Sequence, residues 1–129
     1  MIRSAEEFLH LRNSEQPEEY GRAATEPANE AVWREIIETY PDMRIWVAHN
    51  KTVPLATLRM LAKDDNDRVR HMVASKRKLD MALFMDLARD PDESVRHRVA
   101  ANAKAPADVL RYLSNDESPF VAAAAAQRL

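Results

Sequence analysis

Three aligned stretches of sequence decide the fold: MRIWVAHN at residues 43–50, VRHMVASK at residues 69–76 and VRHRVAAN at residues 95–102. The copies begin at Met43, Val69 and Val95, so their period is constant, and no gap is needed from Met43 to the end of the chain. A decayed fourth copy, VAAAAAQR, occupies residues 121–128. Self-similarity at a fixed period of about 20 to 50 residues is the signature of stacked repeats. The sequence therefore predicts a repeat protein.

The rest of each repeat unit keeps the same phase. The positions in register are Leu58, Phe84 and Leu110; Leu61, Leu87 and Leu113; and Asp64, Asp90 and Asp116. Apolar residues at i, i+3 and i+4 predict a first short helix in each unit. A second helix follows a polar turn, because Asn66, Asp92 and Ser118 are good N-cap types and apolar pairs at i and i+4 follow them. Two helices this short cannot bury their apolar faces alone, so stacked units would share one core.

The fold class predicted is all-α: a short solenoid of three to four two-helix repeats without β-strands. The composition agrees, because the chain has one glycine, Gly21, and 21 alanines, whereas the hairpins of sheet proteins usually need glycine.

The pattern resembles the leucine-rich repeat variant, a short relative of the HEAT repeats. The resemblance is carried by PADVLRYLSND at residues 106–116 and DPDESVRHRVAAN at residues 90–102, and it covers about residues 41–129. It implies a right-handed HEAT-like solenoid that serves as a binding scaffold. Some family members carry a cysteine-ligated iron–sulfur cluster. This chain has no cysteine, so that feature is not carried over.

Residues 1–40 have a different composition, with nine acidic and four basic side chains, against 12 acidic and 15 basic side chains in residues 41–129. We expect residues 1–129 to form a single domain, in which 1–40 is an acidic helical cap with a degenerate first half-repeat and 41–129 holds the repeats. Ser4 and Glu7 predict the start of a first helix. A second helix is predicted to end near Gly21, and a third is predicted to open at Glu26 and Pro27.

The composition also excludes several classes of chemistry. The absence of cysteine excludes disulfides, thiolate nucleophiles and cysteine-ligated metals. A single glycine excludes a phosphate-binding loop, a dinucleotide fingerprint and a nucleophile elbow, since each needs at least two. His71 and His97 occupy equivalent repeat positions, and helices about 8–10 Å apart hold imidazoles too far apart to share a zinc ion. We therefore expect no enzyme activity, no metal and no cofactor.

A structural ladder is predicted from acidic and basic residues at i and i+6. The pairs are Glu38 with Arg44, Asp64 with Arg70, and Asp90 with Arg96; the last two form the core of the predicted ladder. In HEAT-like repeats an acidic residue at the end of one helix and a basic residue in the next tie the units together. Substitution of such an arginine is expected to destabilise the fold rather than remove one contact.

A partner-binding groove is predicted on the second helices. At about 100° per residue the positions that point away from the core, with their flanks, are Ile45, Trp46, His49, His71, Met72, Ser75, His97 and Arg98. Aromatic residues, Met and Arg are typical of protein-binding surfaces. Trp46 and Met72 could equally be core residues between units. The bare alanine face of residues 121–126 is a competing candidate, as a contact in a weak dimer; otherwise the chain is expected to be a monomer.

A basic patch is predicted from Arg68, Lys76, Arg77 and Lys78. The two interpretations are a solvated loop and a surface for an acidic partner, either protein or nucleic acid. No aromatic residue lies among these side chains, and the net charge of the chain is −2, so nucleic-acid binding would be weak and salt-sensitive.

The chain shows no secretory signal and no apolar run of the roughly 20 residues that would span a bilayer. A bacterial-type cytoplasmic protein without membrane contact is therefore expected. The function predicted is non-catalytic protein binding, as an adaptor or as an immunity-like protein that masks a partner. The alternative is a nucleic-acid-associated HEAT-like protein that uses the basic patch.

Overall fold

The structure is a computed structural model that describes residues 1–129, and it is all-helical. It contains ten α-helices, one 3-10 helix over Pro41–Met43 and no β-strand. The α-helices are α1 Ala5–Asn13, α2 Pro17–Thr25, α3 Glu30–Thr39, α4 Arg44–His49, α5 Leu55–Leu61, α6 Asp67–Ala74, α7 Met81–Ala88, α8 Glu93–Ala101, α9 Ala107–Leu113 and α10 Pro119–Ala126. The predicted all-α class is confirmed.

The chain divides into two compact units, residues 1–61 and residues 62–129. The first unit contains α1 to α5, and the second contains α6 to α10. The expectation of a single domain over residues 1–129 stays a prediction.

The core of the first unit is built around Phe8 and Trp33, which are almost completely buried. Their rings meet edge to face, with centroids 5.6 Å apart and an interplanar angle of 82°. This is one of the preferred aromatic geometries, and it joins α1 to α3. Ile36 lies one helical turn after Trp33 and is also fully buried, as the apolar stripe of α3 predicts.

The start of α1 follows the predicted capping chemistry. Ser4 Oγ accepts a hydrogen bond from the Glu7 N–H at 3.0 Å. A carboxylate oxygen of Glu7 accepts the N–H of Arg3 at 2.7 Å, one position earlier than in the usual reciprocal arrangement. The predicted helix start is therefore correct.

Two predicted boundaries in the first unit are wrong. Helix α2 continues through Gly21 to Thr25, whose Oγ1 donates to the Gly21 carbonyl at 2.9 Å. Helix α3 starts at Glu30 rather than at the Glu26 and Pro27 pair. The reason is that Ile2 N–H donates to the Pro27 carbonyl at 2.9 Å, and the isolated bridge formed there keeps this segment extended.

The second unit, residues 62–129, contains the five helices α6 to α10. Asn66, Asp92 and Ser118 each cap the helix that follows, because their side-chain oxygens accept N–H groups of the first turn. Helices α6 and α8 pack together, α8 packs against α10, and α7 packs against α9. The fully buried apolar residues of this unit include Val73, Leu83, Leu87, Val95, Val99, Val109, Leu113 and Val121.

None of the helices combines the length and the apolar character that crossing a bilayer requires.

Candidate functional site

Within residues 62–129, each of the two ladder arginines, Arg70 and Arg96, forms hydrogen bonds to two different turns of the chain. Arg70 Nε donates to Asp90 Oδ2 at 2.9 Å and its Nη2 donates to Asp90 Oδ1 at 3.3 Å. Its Nη1 donates to the main-chain carbonyl of Asp64 at 2.8 Å. At the predicted i, i+6 spacing, Arg70 therefore contacts the main-chain carbonyl of Asp64. Its ion pair is with Asp90, the aspartate at the equivalent position 26 residues later.

Arg96 repeats the same arrangement one period later. Its Nε and Nη2 donate to the two carboxylate oxygens of Asp116 at 2.9 and 3.3 Å, and its Nη1 donates to the Asp90 carbonyl at 2.9 Å. Only 10% of the Arg96 side chain and 7% of the Asp116 side chain are exposed. Hydrogen bonding to the carboxylate raises the pKa of Arg96, so this guanidinium remains charged at every ordinary pH.

A second ladder, made of asparagines, was not predicted from the sequence. Asn102 is 1% exposed, and its Nδ2 donates to the carbonyls of Ala74 at 2.8 Å and Lys76 at 2.7 Å. Its Oδ1 accepts the N–H of Lys104 at 2.9 Å. One amide therefore satisfies the end of α6 and shapes the turn after α8.

Asn50 forms the equivalent contacts inside the first unit. Its Nδ2 donates to the carbonyls of Ala23 at 2.8 Å and Glu26 at 3.0 Å. The signal that could have identified the ladder is the same amide at positions 50 and 102 of an otherwise variable loop. A buried carbonyl needs a donor, and the amide supplies it.

The part of the predicted groove that lies in the second unit is carried by α6 and α8, which pack against each other. His71 and His97 are exposed, and Met72, Ser75 and Arg98 are half-buried beside them. Desolvation of the covered part of the otherwise exposed His71 side chain lowers its pKa, and the positive charge of Arg98 lowers it further.

The other predicted groove residues lie on α4 in the first unit. His49 is exposed, and Ile45 and Trp46 are half-buried. The Trp46 ring meets the His49 ring edge-on, with centroids 5.7 Å apart. The Arg12 guanidinium carbon lies 3.5 Å from the centre of the Trp46 ring.

A pocket of about 330 Å³ opens beside Trp46 in the first unit. It is lined by Arg12, Tyr20, Gly21, Ala23, Ala24, Trp46 and His49. The Arg12 Nε is buried and has no hydrogen-bond partner. Sequence analysis identified two of these residues, Trp46 and His49, and missed the others.

The predicted basic patch is only partly assembled. Arg68 lies in the first turn of α6, whereas Lys76, Arg77 and Lys78 follow its last turn. The whole of α6 rises about 12 Å, so Arg68 lies at the opposite end of the helix from the other three. Arg77 and Lys78 are exposed, and Lys76 is half-buried.

A wider depression of about 590 Å³ lies in the second unit, between the turns that follow α7 and α9. Its lining includes Asp90, Arg96 and Asp116, which already form ion pairs within the ladder. No group of three or more histidine, aspartate or glutamate side chains is arranged to hold a metal ion.

The final helix exposes part of its apolar surface. Val121 and Ala125 of α10 are buried, whereas 74% of Phe120 is exposed and Ala123 also faces solvent.

Comparison with known proteins finds no matching family model, no matching curated protein and no matching solved structure.

Proposed function

We propose that this chain is a HEAT-like repeat protein that binds a protein partner and does not catalyse a reaction. The proposal has two parts, a stacked framework and a surface that the framework leaves unused.

The stacked framework is supported by the recurrence of one contact set. Arg70 with Asp90, and Arg96 with Asp116, have the same two donor–acceptor distances of 2.9 and 3.3 Å. Arg70 on α6 pairs with an aspartate in the turn before α8, and Arg96 on α8 pairs with an aspartate in the turn before α10. Identical polar contacts at a fixed period are what nearest-neighbour stacking of units requires.

The binding function rests on the contrast between these buried ion pairs and the predicted groove residues on α6 and α8. His71 and His97 occupy equivalent positions and remain exposed, next to the half-buried Met72 and Arg98. None of these four side chains makes a ladder contact. A rigid face with imidazole, thioether and guanidinium groups has the composition of a protein-binding surface.

The hydroxyl of Ser75 supports a non-catalytic role. It lies at i+4 from His71, the spacing at which a base could activate it. Ser75 Oγ instead donates to the Met72 carbonyl at 2.6 Å, so its proton is directed to the main chain and not to an imidazole. An activated nucleophile needs the opposite arrangement.

The test is crosslinking followed by affinity measurement. A photo-crosslinking amino acid at position 71 or 97 is expected to capture one protein from extracts of the source cells, whereas the same amino acid at the exposed position of Arg111 is not. With the captured protein purified, His71→Ala and His97→Ala should each weaken binding about fivefold to thirtyfold, the effect of losing about 1–2 kcal/mol. Equal capture at position 111, or full affinity in the double variant, would refute this surface.

Nucleic-acid binding is the second candidate, and Arg77 and Lys78 favour it. Both side chains are exposed in the loop after α6, and no carboxylate pairs with either of them. Such charges give weak binding that falls steeply with salt. A mobility shift at low salt that disappears in Arg77→Glu with Lys78→Glu would support this candidate, and no shift in the wild type would end it.

A further inference from the structure

The pocket beside Trp46 has an unusual charged residue in its wall. Arg12 lies with its guanidinium carbon 3.5 Å from the centre of the Trp46 ring, and its Nε is buried without an acceptor. The Arg12 side chain forms no hydrogen bond or ion pair. A buried hydrogen-bond donor without an acceptor costs free energy. Arginine is the side chain best suited to bind a carboxylate, because its planar guanidinium matches the two carboxylate oxygens.

This lack of a partner is notable because the first unit is rich in carboxylates. Three of these carboxylates are held by other groups. Glu7 accepts the N–H of Arg3, Glu19 accepts from Ser14 Oγ at 2.7 Å, and Glu26 pairs with Arg22 and with the terminal amine. None of these three carboxylates pairs with Arg12.

Gly21 gives an independent observation at the same pocket. It is the only glycine of the chain and lies in the interior of α2, where glycine destabilises a helix relative to alanine. Its φ is not positive, and a Cβ added to it would meet no atom within 4 Å. Nothing in the folded chain itself needs glycine here, and the bare backbone leaves space in the pocket wall.

The remaining walls are apolar or aromatic. Besides Arg12 and Gly21, the pocket is lined by Ala23 and Ala24 and by the aromatic residues Tyr20, Trp46 and His49. A volume of about 330 Å³ is at the small end of ligand pockets, large enough for one apolar side chain with a carboxylate beside it. Arginine, tryptophan and tyrosine are also the residues that most often anchor a protein partner.

We propose that this pocket binds an acidic peptide segment of the protein partner. Arg12 receives a glutamate or aspartate carboxylate, and a neighbouring apolar side chain of the peptide fills the space over Gly21 against Trp46. The inference rests on the proposed protein-binding function and adds the chemistry of the partner segment.

The probe is a capped hexapeptide, acetyl-Ala-Ala-Xaa-Phe-Ala-Ala-amide, in which Xaa is glutamate, glutamine or lysine. Binding is followed in two-dimensional NMR spectra of the full chain. The two tryptophans supply an internal control, because Trp33 is 1% exposed and Trp46 is half-buried in the pocket wall. The glutamate peptide should shift the Trp46 indole N–H signal and the Gly21 amide signal and leave the Trp33 indole signal in place.

Three variants sharpen the test. Arg12→Met should weaken the glutamate peptide at least tenfold, whereas Arg34→Met, which removes an exposed arginine of α3, should leave it unchanged. Gly21→Ala should weaken the peptide at least fivefold and at the same time raise the melting temperature. A gain in stability together with a loss of binding cannot come from misfolding.

The contrary outcomes are specific. Equal binding of the glutamate and glutamine peptides, or unchanged binding in Gly21→Ala, would overturn the inference. Benzoate that binds as tightly as the glutamate peptide would assign the pocket to small organic acids instead. If the peptides fail while a captured partner still depends on His71 and His97, the inference fails and the proposed function stands. If the glutamate peptide binds but no partner is captured, the pocket stands and the proposed function fails.

Discussion

Replacement of Arg96 by methionine tests the ladder most directly. Methionine keeps much of the aliphatic stem and removes the guanidinium, so the change isolates the polar contacts. Arg96 donates two hydrogen bonds to Asp116 and one each to the carbonyls of Asp90 and Pro91, at 2.9 to 3.3 Å. After the substitution, Asp116 remains a largely buried carboxylate without its partner.

The expected magnitude follows from the burial of the pair. Removing one partner of a buried ion pair costs about 3–5 kcal/mol. Since about a tenth of each side chain is exposed, the lower end applies, and we expect Arg96→Met to lose about 3 kcal/mol of unfolding free energy. For a chain of this length the melting temperature should fall by about 10 °C.

Urea unfolding followed by circular dichroism in the far ultraviolet measures the change. The matched control is Arg111→Met, because Arg111 pairs with Asp108 on the surface, where the side chains are 62% and 70% exposed. That variant should lose less than about 1 kcal/mol. Adding Asp116→Leu to Arg96→Met should recover part of the loss, because the buried charge is then removed, although the Ser118 N–H loses its acceptor. A loss of under about 1 kcal/mol in Arg96→Met would refute the ladder as a structural device.

Three further outcomes are expected. Asn102→Ala leaves two main-chain carbonyls without their donor and should lower the unfolding free energy by about 2 kcal/mol in the same urea assay; an unchanged midpoint would contradict the asparagine ladder. The pKa of His71 is lowered from 6.5, so the folded chain favours the neutral ring. The contribution of the neutral ring to the unfolding free energy is fully present above pH 6.5 and is lost as the pH falls through the folded pKa. Wild type should therefore lose more stability than His71→Gln between about pH 7.5 and 5.5; parallel curves for wild type and His71→Gln would contradict this. Arg77→Glu with Lys78→Glu should leave the melting temperature within about 2 °C of the wild type, because both side chains are exposed.

The features that the sequence predicted well are those set by neighbouring residues. Asn66, Asp92 and Ser118 cap helices in the structure because the contact lies within the first turn after the cap. The buried pair Val69 and Val73 follows from helical spacing alone. Helix capping and helical periodicity depend on residues that are close together in the sequence, so the sequence alone is enough to predict them.

The features that were missed depend on distance in space. Asp64 and Asp90 are equivalent in sequence, and only the packing of α6 against the following helices decides that Arg70 pairs with the second one. The contact between Arg12 and Trp46 joins residues far apart in the chain and has no periodic signal. Gly21 was interpreted as a helix end from its propensity, whereas α2 continues through it.

The contacts of the arginines distinguish Arg70 and Arg96, which stabilise the fold, from Arg12, which is proposed to bind a ligand. Arg70 and Arg96 each donate hydrogen bonds to a carboxylate and to main-chain carbonyls, so their loss should appear as lost stability. Arg12 is half-buried, and its side chain stacks on the Trp46 ring, an interaction of about 0.5–1 kcal/mol. Arg12→Met should therefore change the melting temperature by less than a third of the Arg96→Met shift while it removes binding of the acidic peptide. An Arg12→Met variant that unfolds as readily as Arg96→Met would place Arg12 in the framework and leave the pocket without its anion-binding group.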